Sequence, residues 1–87
     1  MNIRFWELSS MEVINCRTGR LLGCVGDIGI DTDKGCLTDI YVPAGTKYWG
    51  CIGKKGEYQI PFCAIEKIGS DVILVNIDEK KCLKTGK

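Results

Sequence analysis

The chain has 87 residues, 45% apolar and 26% charged, with twelve basic and eleven acidic side chains for a net charge of +1. This is the composition of one globular domain: it excludes a disordered chain, and no apolar run approaches the roughly 18 residues of a membrane-spanning helix. A charge so near zero supplies no global attraction to nucleic acid or to an anionic membrane.

The opening stretch, MNIRFWELSS, lacks the apolar run and small-residue cleavage site of a signal peptide, which predicts a cytoplasmic protein. Phe5, Trp6 and Leu8 are expected to cap one end of the core, because large side chains contribute most of a small domain's burial. A short strand is predicted from Glu12 to Cys16, and Arg17-Thr18-Gly19-Arg20 reads as a turn.

From Leu22 to Asp31 the sequence alternates with period two. Leu22, Cys24, Ile28 and Ile30 are expected on the buried face, with Val25, Asp27 and Asp31 on the other. Asp31-Thr32-Asp33-Lys34-Gly35 has turn chemistry. A second strand follows, in which Cys36, Thr38, Ile40 and Val42 alternate with Leu37, Asp39 and Tyr41. The middle of the chain is therefore predicted to be a β-hairpin on which the other strands pack. With the turn centred on Asp33, Cys24 lies opposite about Val42, too far from Cys36 for a disulfide.

Ala44 to Gly56 holds four glycines and three lysines around Tyr48, Trp49 and Ile52. It is too rich in glycine for a helix and too long for a tight turn, so it is expected to be an excursion between strands. Glu57 to Pro61 alternates again, with Tyr58 and Ile60 inward and Pro61 ending the ladder. Phe62 to Ile65 is predicted to be one helical or 3₁₀ turn that brings Phe62 and Ile65 to the core, followed by a very short strand at Glu66 to Ile68. Gly69-Ser70-Asp71 is a turn. Val72 to Ile77, apolar on both faces, is expected to be a central strand. Residues 1–78 form the single domain, and the charged residues 79–87 are expected to fray.

Short strands and frequent turn signals predict an all-β fold, a small partly open barrel of about six short antiparallel strands with at most one short helical turn. The chemistry of catalysis is sparsely represented. The chain has no histidine, which removes Ser-His and Cys-His pairs and the commonest metal ligand. Its six cysteines, Cys16, Cys24, Cys36, Cys51, Cys63 and Cys82, show none of the close pairing of a structural zinc site and read first as reduced thiols, with a disulfide or metal role as the alternatives. An EF-hand starting at Asp31 would need Gly and Glu where Cys36 and Val42 stand. Gly45 to Gly50 has phosphate-loop spacing, but Cys51 occupies the lysine position. No catalytic residue, metal or cofactor is therefore expected.

The excursion carries the candidate partner-binding residues Lys47, Tyr48, Trp49, Ile52, Lys54 and Lys55. Trp and Tyr are the usual anchors of protein contacts. Aromatics between lysines also suit base stacking and phosphate contact. A third reading is that Tyr48 and Trp49 fold back over one end of the barrel.

Several motifs in order, ELSxxxV (Glu7 to Val13), LGxVxDIxID (Leu22 to Asp31), Gly35 with the Val42-Pro43 strand end, and EYxIPxxxIxKIGxDVILV (Glu57 to Val75), resemble a PRC-barrel domain. Together with the excursion they resemble its small sporulation-associated YlmC/YmxH-type branch, over about Arg4 to Ile77. The resemblance implies a six-stranded barrel-like fold that acts through binding surfaces, as in the photosynthetic reaction centre H subunit and a ribosome-maturation protein. It implies no catalytic residues. The expected function is a non-catalytic binding or scaffold module in sporulation, working through a protein partner or a second copy as a homodimer. RNA or ribosome-associated binding is the alternative, and a thiol- or metal-dependent role the next.

Overall fold

A computed structural model describes residues 2–44 and 56–85. The fold class is the one expected: strands dominate, in two four-stranded sheets. In chain order the elements are α1 (Phe5–Ser9), β1 (Glu12–Asn15), β2 (Arg20–Cys24), β3 (Asp27–Asp31), β4 (Cys36–Pro43), β5 (Gly56–Pro61), a 3₁₀ turn (Phe62–Ala64), β6 (Ile65–Ile68), β7 (Val72–Val75), α2 (Glu79–Cys82) and β8 (Leu83–Thr85). One sheet runs β2-β1-β7-β6 and the other β3-β4-β5-β8.

The sheets share two bent ribbons. The β2–β3 ribbon leaves the first sheet and enters the second, and β5 passes through the 3₁₀ turn to become β6. Following the pairings round gives a closed circuit: β2–β3, β4, β5–β6, β7, β1 and back to β2. Closure removes most open edges, which is how small all-β domains avoid unpaired backbone. Inside it Val13, Ile40, Val42, Ile60, Ile73 and Val75 are completely buried. Period-two patterning places Tyr58 and Ile60 inward as expected, and β7 is an interior strand.

The alternation from Leu22 to Asp31 is not one strand. It breaks at Val25-Gly26, and the faces have already swapped at Gly23. Leu22 and Val25 are buried while Cys24 is exposed. The cause is local. Gly23 adopts φ +135°, which L side chains rarely reach, and the β1–β2 register slips between Val13 and Ile14. Gly26 then donates its N–H to the Tyr41 carbonyl at 2.8 Å, and a Cβ there would sit 2.9 Å from Pro43 Cγ. The ribbon turns its corner where only glycine fits. Cys24 consequently pairs with Glu12 and not with the region of Val42.

A second slip, between Gly29 and Ile30, reorients the far end of the hairpin. Ile30 is 56% exposed, and Cys36 and Leu37 are exposed too. Three further expectations are corrected. Of the predicted cap, Leu8 is buried, but Phe5 and Trp6 face solvent on α1 at 45% and 65% exposure. Phe62 is 37% exposed and only Ile65 of that pair packs on the core. The strands are not all antiparallel, since β1 pairs with β7 in parallel.

Residues 79–85, expected to fray, form α2 and β8. Asp78 starts the helix by accepting the Lys80 N–H at 3.1 Å, and β8 then pairs with β5. Helical structure is thus slightly richer than expected, with α1, α2 and the 3₁₀ turn. In α1 the Glu7 carboxylate folds back to accept the Arg4 N–H at 2.9 Å, satisfying a donor the first turn leaves open.

Candidate contact surface

The β3–β4 hairpin is built on Asp31. Its Oδ1 accepts the N–H groups of Asp33 and Lys34 at 3.0 and 3.2 Å, and its carbonyl accepts the Gly35 N–H at 2.7 Å. This is an Asx-type turn, formed because a short carboxylate reaches the backbone two and three residues on. Beyond the core the arm carries Ile30 and Leu37, which face each other across the ladder and both remain exposed. Residues 27–43 also hold four aspartates against one lysine, although the whole chain is nearly neutral. The arm is therefore apolar in part and acidic in net charge. The sequence contained this signal, but reading Ile30 as a core residue concealed it.

At the opposite side of the second sheet lies a cleft of about 620 Å³, walled by Arg17, Thr18, Arg20, Tyr58, Glu79 and Leu83 among others. Glu79 holds it together. Oε1 accepts from Arg20 Nη1 at 2.8 Å, and Oε2 accepts from Thr18 Oγ1 at 2.7 Å and from Asn15 Nδ2 at 2.9 Å. Arg17 Nε donates to Asn76 Oδ1 at 3.0 Å. The cleft opens where the chain leaves the ladder after β7 and returns to it as β8. Its charged side chains tie α2 to the β1–β2 turn.

Lys47, Tyr48, Trp49, Ile52, Lys54 and Lys55 lie outside the described residues. The base from which they depart is well defined. β4 and β5 stay in register to Pro43 opposite Glu57, and the Ala44 N–H donates to the Gly56 carbonyl at 2.8 Å.

Cys16, Cys24, Cys36 and Cys63 are free and exposed, and Cys82 is half-buried; Cys51 falls outside the described residues. Burial first, and the Asp78 carboxylate second, push the Cys82 thiol above its ordinary pKa, with Lys84 and Arg17 opposing them. Among the described residues no group of three or more Cys, Asp or Glu side chains is placed to hold a metal ion. No described helix is long and apolar enough to cross a membrane.

The profile of the PRC-barrel domain matches residues 2–81. The chain belongs to the PRC-barrel family. Among PRC-barrel relatives, it is 44% identical over 71 residues to an uncharacterized protein of Clostridium acetobutylicum, covering 82% of this chain and 80% of that one. It is 40% identical over 73 residues to the probable sporulation protein YlmC of Bacillus subtilis, covering 84% and 90% of the two chains. The uncharacterized protein YmxH of the same organism is 32% identical over 81 residues, covering 90% and 93%. The PRC-barrel profile spans the whole circuit from β1 to β7 and reaches into α2.

Proposed function

We propose that this PRC-barrel protein is a non-catalytic contact module of the cytoplasm that serves sporulation by binding a protein partner or a second copy of itself. The sporulation assignment draws on its likeness to a probable sporulation protein. The observation that carries the contact reading is the surface of the β3–β4 arm, where Ile30 and Leu37 stay 56% and 38% exposed although they face one another across a ladder. Exposed apolar side chains grouped beside charges are what interfaces are made from. Tyr48 and Trp49, which lie between β4 and β5 in the sequence and outside the described residues, are the second set of anchors in this reading.

Capture from extracts of sporulating cells tests it, with light scattering for mass. Ile30→Ser and Trp49→Ala are each expected to weaken capture or self-association by on the order of tenfold, the effect of losing a contact worth about 1.4 kcal/mol. Wild-type behaviour in both variants overturns the reading.

A further inference from the structure

The second sheet ends in two unlike strands. One edge is β3, with sequence DIGID, and the other is β8, which follows Lys80 and Lys81 and carries Lys84. Among the described residues neither edge has an outer partner. An open edge is a template for another strand, and side chains on it decide which strand is accepted.

We propose that the acidic β3 edge of one copy receives the basic β8 edge of a second copy, joining the barrels head to tail through one continuous sheet. This rests on the contact-module reading and specifies its self-association. Direction fits. β3/β4, β4/β5 and β5/β8 are all antiparallel, so β8 runs opposite to β3, and an added copy in the same orientation presents β8 antiparallel to it.

Side-chain faces fit as well. Ile28 packs on the core, so Asp27 and Gly29 point to the outer face. On β8, Leu83 packs on the core opposite Tyr58, so Lys84 points to the outer face. With the incoming Lys84 opposite Gly29, its stem crosses a residue with no side chain. Two acceptors border that position: a Cβ on Gly29 would lie 2.9 Å from Thr38 Oγ1, whose side chain must shift to admit the stem, and 3.4 Å from the Asp39 carboxylate Oδ2. Asp27 flanks the same position. Leu83 then meets the Ile28–Ile30 side, adding apolar contact to Ile30, which is 56% exposed.

Symmetric pairing of β3 with another β3 is disfavoured. Antiparallel alignment would set Asp27 against Asp31, and like charges directly opposite one another destabilise a ladder. The unlike edges therefore favour a heterologous contact, which leaves one β3 and one β8 open after each addition and forms a ring or a growing row. The β8 ladder is short, so the association is weak, concentration-dependent and salt-sensitive.

Sedimentation velocity of the full chain over a concentration series, at low and high salt, is the test. Wild type is expected to gain mass with concentration and to lose it with salt. Asp27→Lys and Lys84→Glu, both at exposed positions, are each expected to need on the order of tenfold more protein for the same mass. An equimolar mixture of the two variants is expected to regain association, because each junction in an alternating row then joins opposite charges. Circular dichroism confirms that both variants fold. Wild type that stays monomeric, single variants that associate like wild type, or a mixture that gains nothing overturns the inference. Wild type that captures a partner yet stays monomeric overturns it while leaving the contact-module reading standing.

Discussion

The Asn15 side chain takes the place of a strand opposite Ile77. Its Nδ2 donates to the Ile77 carbonyl at 3.1 Å, and its Oδ1 accepts the Ile77 N–H at 3.3 Å. The same Oδ1 takes the Arg17 N–H at 3.1 Å, and Nδ2 also reaches Glu79. Asn15 is completely buried, and it extends the β1–β7 pairing past Val75, where the ladder stops. Asn15→Leu is expected to lose about 2–4 kcal/mol, because two buried backbone groups of Ile77 are left without partners. Urea denaturation measures this; a loss under about 1 kcal/mol means the residue is not the clasp described.

Gly23 should tolerate no side chain. At φ +135° any L residue is strained, and a Cβ would lie 3.2 Å from Val42 Cγ1 and 3.3 Å from the Pro43 carbonyl. Gly23→Ala is expected to cost about 1–3 kcal/mol, with the corner into β3 its first casualty. Thermal melting of Gly23→Ala beside Gly35→Ala separates crowding from backbone strain, since Gly35 has positive φ but open space around its Cβ position.

Core and arm should respond differently to truncation. Ile73 is fully buried and Ile30 is 56% exposed. Ile73→Ala is expected to lose about 2–5 kcal/mol, through lost transfer energy and the cavity it leaves. Ile30→Ala should stay within about 0.5 kcal/mol of wild type in a dilute denaturation series. Equal losses would show that the arm belongs to the core after all.

Cys82 should be the slowest described thiol to react. The thiolate is the nucleophile, and burial together with Asp78 disfavours it at this residue. Iodoacetamide labelling followed by mass spectrometry is expected to modify Cys16, Cys24, Cys36 and Cys63 first. The sign of the stability effect follows. With its pKa raised by folding, Cys82 contributes fully below the thiol's unfolded pKa and loses that contribution as pH rises through the folded one. Cys82→Ser should therefore flatten the alkaline end of the stability profile, and labelling in parallel with the exposed thiols would contradict the placement.

The architecture was legible wherever periodicity is local. β4, β5 and β7 announce themselves by alternation or by β-branched runs, and the turns at Arg17 to Arg20 and Asp31 to Gly35 by their residue types. Alternation failed from Gly23 onward because a face count assumes an unbroken pleat, whereas Gly23 and the slip at Val13/Ile14 advance it by one. The parallel β1–β7 pairing had no local signature. Asn15 did have one: it follows Val13 by two residues, so period two puts it on the buried face. Of the candidate site, the acidic count of the hairpin was plain in the sequence. The exposure of Ile30 and Leu37 was not, because it depends on how far the arm outruns the core. Glu79, in a stretch expected to fray, gave no sign of the three groups it holds.

The parallel partnership of β1 and β7 bears on how the polypeptide matures. β1 emerges early from the ribosome, yet its interior neighbour is made only near the end, with Asn15 waiting for a residue 62 positions downstream. Until then β1 has only β2 beside it, and a two-stranded ribbon is marginal in water. The second sheet through β5 completes sooner, so synthesis should yield it first and lock the circuit last, and a nascent chain halted before Val72 should remain protease-sensitive throughout its first sheet.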